Sequence, residues 1–239
     1  MNGDFLAGLG WLFLGGGCCL AVARRLREAA AEFLTRLFGV EIGLPLFALL
    51  TLPGFFLHEA AHVLSALLLR VPIRAVHWIP RPSLDGHSLS ASVSIGRADA
   101  LRTALVALAP LLAGATALGL LSNALGAPEA DPRPWVRLPA WLSGLDWGSS
   151  SLWASLYLIG CISLHMAPSR ADLAYVPGGL AALGVVLLLS GFLLPLFGPE
   201  LPGQVGRLFA RLGDGLLVGA ALNGVLLAPL LLVRRWRRR

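Results

Sequence analysis

The residues with the clearest chemical potential are His58-Glu59-Ala60-Ala61-His62, an H-E-x-x-H pentapeptide inside an apolar run from Ile42 to Leu69. On a helix, positions i and i+4 share a face one turn apart. The two imidazoles can therefore reach one metal ion, with Glu59 projecting beside them. That set suits two zinc ligands and the general base of a metal-assisted hydrolysis. A lone core histidine is usually just packed or hydrogen-bonded. Three ionisable side chains on one turn of a membrane helix are different, because each costs about 2–3.5 kcal/mol near the bilayer centre.

A second cluster closes the apolar segment 151–166: His165-Met166-Ala167-Pro168-Ser169-Arg170-Ala171-Asp172. Pro168 disfavours helical backbone at Ala167, so the chain is expected to unwind there. Irregular backbone at membrane depth is tolerated where it lines a polar cavity. His165 and Asp172 are then expected to face something polar, and the metal is the obvious candidate. His77 and His87, in a polar stretch, read as surface histidines. Cys18, Cys19 and Cys161 all lie in apolar segments and form neither a disulfide framework nor a C-x-x-C site.

The elements that must position these residues belong to a membrane. The 239-residue chain is 56% hydrophobic and only 13% charged, with a mean hydropathy of +0.76, which excludes an ordinary soluble domain. The fold class expected is an all-α polytopic membrane protein of about six transmembrane helices with a small β-hairpin after the motif helix. The spans are expected at 5–23, 42–69, 101–121, 151–166, 173–196 and 215–233. Residues 24–38, with Leu26, Ala30, Phe33 and Leu37 at helical spacing, read as an amphipathic helix on the membrane surface. Pro53-Gly54 predicts a kink one turn before His58. Residues 73–79 and 88–95 predict a hairpin around Asp85-Gly86, whose free edge could take an extended peptide. Trp135, Trp141 and Trp147 suit an interfacial belt, and 197–214 reads as a loop. The organisation is thus 1–39, an N-terminal helix and connector; 40–175, a core with its hairpin at about 71–97; and 176–239, the last helices and a basic tail.

All 19 basic residues are arginine. Their excess fits membrane orientation and contact with anionic lipid, and gives no reason to expect nucleic acid. Six spans put both termini on one side. With that side cytoplasmic, the loop at 70–102 and the tail lie inside, but Arg24 to Arg36 lie on the wrong face. An integral, multi-pass protein of a bacterial cell membrane is the expected setting.

These two clusters, in this order, resemble the site-2 protease family of intramembrane zinc metallopeptidases. The resemblance covers about residues 42–175. It implies His58 and His62 as zinc ligands, Glu59 as catalytic base and Asp172 as third ligand, with Pro168 and Asp172 matching the second motif. It implies one Zn2+ per chain and a zinc-activated water that hydrolyses peptide bonds of a transmembrane protein or peptide substrate. Regulated cleavage of membrane-anchored signalling proteins is the corresponding expectation. The departures are specific. His165 stands where the family usually has Asn, Leu173 follows Asp172 in place of Gly, and the Pro168–Asp172 spacing is about one residue tighter. His165 is therefore assigned a hydrogen bond to the oxyanion or the substrate backbone, and it is also a rival third ligand. The competing readings are a non-catalytic metal-binding membrane protein and a transporter built on the same helices.

Overall fold

The computed structural model describes residues 3–82, 89–126, 141–167 and 170–236. Side chains at 79–82, 89–92, 170–180, 182–183 and 234–236 are outside the description. The elements are α1 (Gly3–Phe38), α2 (Val40–Leu50), α3 (Leu52–Leu68), β1 (Ile73–Pro82), β2 (Leu89–Ile95), α4 (Ala100–Ala124), α5 (Ser150–His165), α6 (Arg170–Phe197) and α7 (Leu201–Trp236). The chain is thus mostly helical, with one two-stranded antiparallel sheet. Among the described residues three helices are long and apolar enough to cross a membrane, α1, α4 and the Leu201–Val233 part of α7, or up to four if the bent pair α2–α3 counts as one span. Ser150–His165 (α5) and the Gly184–Phe197 part of α6 are shorter apolar helical stretches.

The most extensive helix pairing joins α1 to α7. A Cβ at Gly8 would lie 2.0 Å from the Gly206 carbonyl oxygen, and one at Gly15 would lie 2.6 Å from that of Gly213. Glycine at these heptad-spaced positions lets the two backbones touch, which is how helices gain dispersion energy where lipid removes the hydrophobic drive. The Trp11 indole N–H donates to Asp214 Oδ1 at 2.7 Å beside the second crossing. Residue numbers rise together along the contact, so α1 and α7 run parallel. α4 runs the other way, since Leu118 and Gly119 meet Gly215 while Gly119 also meets Leu212. If α1 and α7 both cross, their N-terminal ends face one side and their C-terminal ends the other. This departs from the expectation that both termini share a side, which followed from counting apolar runs alone.

Two sequence expectations change for related reasons. Residues 24–38 are helical, but they continue α1 without a break, with Arg24 on Glu28 at 3.3 Å and Arg36 on Glu32. Residues 201–214 are the first turns of α7 and not a loop. Pro202 is its second residue, where no N–H is required, and packing on α1 outweighs the low helix propensity of Gly206 and Gly213. Trp141 packs inside the protein. It is 6% exposed, and its indole N–H donates to the Leu125 carbonyl at the end of α4. Trp147 is half exposed against Trp153, and Trp135 lies outside the described residues.

The motif segment does not kink within a single helix. It breaks at Thr51, and α2 and α3 meet at a bend of 71°. Proline at 53 would have left the Leu49 carbonyl without its donor, so the helix restarts with Pro53 in its first turn. Thr51 Oγ1 donates to the Phe47 carbonyl at 2.8 Å and closes the last turn of α2. From α5, the Tyr157 hydroxyl donates to the Leu50 carbonyl at 2.9 Å. The polar groups exposed by the break thus find partners inside the protein.

The hairpin forms where expected. Ile73 pairs with Ile95 and Val76 with Val93, with irregularities between Ile73 and Ala75 and between His77 and Arg81. It is anchored over the end of α3 by Val71, Ile73 and Ile95 packing with Ala66 and Val106, and by Trp78 stacking on Phe56 with ring centroids 5.3 Å apart. His77 is half-buried on β1, and His87 lies outside the described residues.

Neighbouring glycines give a controlled test of the α1–α7 crossing. Gly15→Val should lower stability in detergent by about 1–3 kcal/mol, as overpacking of a filled site does. Gly16→Val, whose added Cβ meets nothing within 4 Å, should leave it near wild type. Thermal or denaturant unfolding of the purified chain measures both.

Candidate metal centre

α3 carries the motif, and its buried residues are Gly54, Glu59, Ala61, His62 and Ala66. Its start presses on the end of α5. A Cβ at Gly54 would lie 2.0 Å from the Cys161 carbonyl oxygen and 2.9 Å from Cδ2 of His165. Only glycine permits this approach, and it brings His58 to the last carbonyl of α5. Further along, α3 lies against α4 and brings His62 to Val106.

Each histidine uses Nδ1 in the same way. His58 Nδ1 lies 2.7 Å from the His165 carbonyl oxygen, and His62 Nδ1 lies 2.9 Å from that of Val106. A carbonyl oxygen only accepts, so each Nδ1 carries the hydrogen, and in its neutral form each ring turns the lone pair of Nε2 outward. The two Nε2 atoms converge to 3.3 Å, with the rings nearly perpendicular at 80°. Two bare lone pairs held this close repel, and a metal ion or a shared proton between them relieves the repulsion.

The arrangement fits zinc. Ligand nitrogens on a tetrahedral zinc at about 2.0–2.1 Å stand roughly 3.3–3.4 Å from one another. Metal-binding histidines characteristically donate their other N–H to a carbonyl or carboxylate, which fixes tautomer and ring orientation. Both features are present at His58 and His62. Glu59 follows His58 directly and is 4% exposed.

The remaining expected residues fall differently. Asp172 lies in the first turn of α6, but its side chain, like the whole of Pro168, is outside the described residues. His165 ends α5 and is 4% exposed. Its ring packs on Phe55 at 3.8 Å between centroids and lies 6.1 Å from Phe47. Its Nε2 has no hydrogen-bond partner among the described residues. Among the described residues no three His, Cys, Asp or Glu side chains converge as a metal-binding group. In this arrangement His165 meets the site through its main-chain carbonyl.

Sequence reading missed the two carbonyls, because backbone groups carry no letter of their own. It also treated Gly54 only as part of a kink, although glycine next to a helix-initiating proline is a signal for close approach. Comparison with protein-family models, with curated proteins and with solved structures gives no match for this chain.

Gly54→Ala should push α3 from α5 and loosen the His58–His165 contact. Zinc retained after dialysis, measured by elemental analysis, should fall well below wild type. Gly16→Val, remote from the site, should leave it unchanged.

Proposed function

We propose that this chain is an intramembrane zinc-dependent endopeptidase. The observation that carries the reading is the paired geometry of His58 and His62, with both Nδ1 atoms on carbonyls and both Nε2 atoms converging at 3.3 Å. His58 and His62 would hold the metal, and Asp172 is the proposed third protein ligand. When bound, zinc would supply Lewis-acid polarisation of a peptide carbonyl and would acidify a water.

The chain's own residues supply the rest. The Glu59 carboxylate accepts a proton at the reacting centre and returns it to the leaving amine. The His165 imidazole is the proposed hydrogen-bonding group for an unwound substrate backbone, and its carbonyl orients His58. A helical substrate must unwind before its peptide bonds are reachable, since its carbonyls are engaged within the helix. The hairpin over the end of α3 offers a strand edge beside the site for such a segment.

The proposed membrane arrangement takes α1, α4 and α7 as full spans, with α2–α3 and α5–α6 inserted between them. The parallel register of α1 and α7 supports an odd number of crossings over six. It also brings Arg36 level with Arg234 and Arg235 at one end, where α4 begins with Arg102 nearby, against Arg207 and Arg211 towards the other. The arginine-rich end is the cytoplasmic one by the positive-inside rule. The hairpin and the tail stay inside, as the sequence suggested. Arg36 moves to the favourable side, and the start of α1 faces out.

Two measurements test these readings. Purified protein should carry about one zinc per chain. The metal should be lost in His58→Ala, His62→Ala and Asp172→Ala and kept in Glu59→Gln, while Glu59→Gln should cut peptide hydrolysis by about 10²-fold or more. Metal retained alongside unchanged hydrolysis in Glu59→Gln would remove the assigned base, and a preparation that takes up no zinc would remove the metallopeptidase reading. For orientation, in a background lacking the native cysteines, Gly3→Cys should react with an impermeant maleimide in intact cells. Ala98→Cys should react only after permeabilisation, and labelling of both from one side would overturn the odd count.

A further inference from the structure

In an α-helix the carbonyl at position i takes the N–H at i+4. For Val106 that position is Pro110, which has no N–H. Pro110 sits inside α4 and is fully buried. A proline there is costly for the helix, and the carbonyl it leaves without its helical donor is the one that meets His62 Nδ1 at 2.9 Å. The second contact is built in a related way. His165 is the last residue of α5, so its carbonyl lies beyond the helical ladder. The sequence then places Pro168, which has no N–H to offer, three residues on. His62 therefore meets a carbonyl that has lost its helical donor, and His58 meets one at a helix end.

We infer that Pro110 is a positioning residue: by withholding the N–H at 110 it reserves the Val106 carbonyl for His62, which fixes the proton on Nδ1 and aims Nε2 at His58. This rests on the metallopeptidase reading only for its effect on metal affinity, since the tautomer of His62 is a property of the chain itself. A proline that merely kinks α4 would act on stability and shape. A proline that reserves a carbonyl acts on the state of an imidazole on another helix.

The experiment uses full-length protein in detergent with 15N-labelled histidine, at a pH where the rings are neutral and with metal removed by chelator. The His62 signals are assigned by their loss in His62→Ala. In wild type, His62 should be the Nδ1–H tautomer. Pro110→Ala and Pro110→Ser both restore the N–H, and both should move His62 towards a mixture with the Nε2–H form. On adding zinc, each variant should bind about 10–100-fold more weakly than wild type, the range for loss of a metal ligand's outer hydrogen bond. Thermal stability should hold or rise, because a non-proline residue suits a helix interior better.

An unchanged His62 tautomer in folded Pro110 variants overturns the inference. So does wild-type His62 found as the Nε2–H form, a result that needs no variant to fold. Wild-type protein that binds no zinc but shows the tautomer change would instead sink the metal reading and leave the role of Pro110 standing.

Discussion

A polar group inside an apolar bundle has no water to turn to, so it must be satisfied by the protein. Much of this structure follows from that constraint. Where α2 stops, the Leu50 carbonyl is met by Tyr157 and the Phe47 carbonyl by Thr51. Where α4 stops, Trp141 meets the Leu125 carbonyl. Where α5 stops, the His165 carbonyl is met by His58. Helix ends are thus used as a supply of oriented acceptors, one of them answered by His58, while His62 meets the carbonyl that Pro110 frees inside α4.

The helix register that allows this comes from small residues. Gly8, Gly15, Gly206 and Gly213 let α1 and α7 touch, and Gly54 lets α3 reach the end of α5. In lipid, close backbone approach replaces hydrophobic burial as the main source of association energy. Buried side chains then fill the remaining space. Leu118, Ile159 and Leu216 form one cluster with Cys19 and Met166, while Phe47 and Leu164 join Ala23 and Leu227 in another. The site lies where α3, α4 and α5 meet, and its precision depends on helices that make no contact with a metal. The Asn223 side chain donates from α7 to Ser163 Oγ at 2.9 Å within a fully buried layer, while its Oδ1 has no partner among the described residues.

Composition and local pattern carried much of this architecture. The high apolar content required helices, because a helix satisfies its own backbone inside lipid. The period-two pattern ending at Ile95 and the turn residues around Asp85 located the hairpin. The pentapeptide 58–62 gave the pairing of two imidazoles through helical periodicity alone. What it did not give was the state of those imidazoles, which depends on carbonyls 44 and 107 residues away in sequence. The loop expected at 197–214 failed for the same reason. Gly206, Gly213 and Asp214 read as breakers until α1 is beside them, and then they are the contact itself.

Residue order alone makes the chain apolar and helical, puts His58 and His62 on one helix face, and keeps the segment ahead of them from continuing straight through Pro53. Each of these is a consequence of covalent structure or of a short repeat. The direction of α1 relative to α7, the hydrogen on Nδ1 of each motif histidine and the placing of the His165 ring against Phe55 come from contacts between distant helices. Those depend on which backbones touch, and close approach between distant helices is set by the shape of the whole bundle, not by any one stretch of residues.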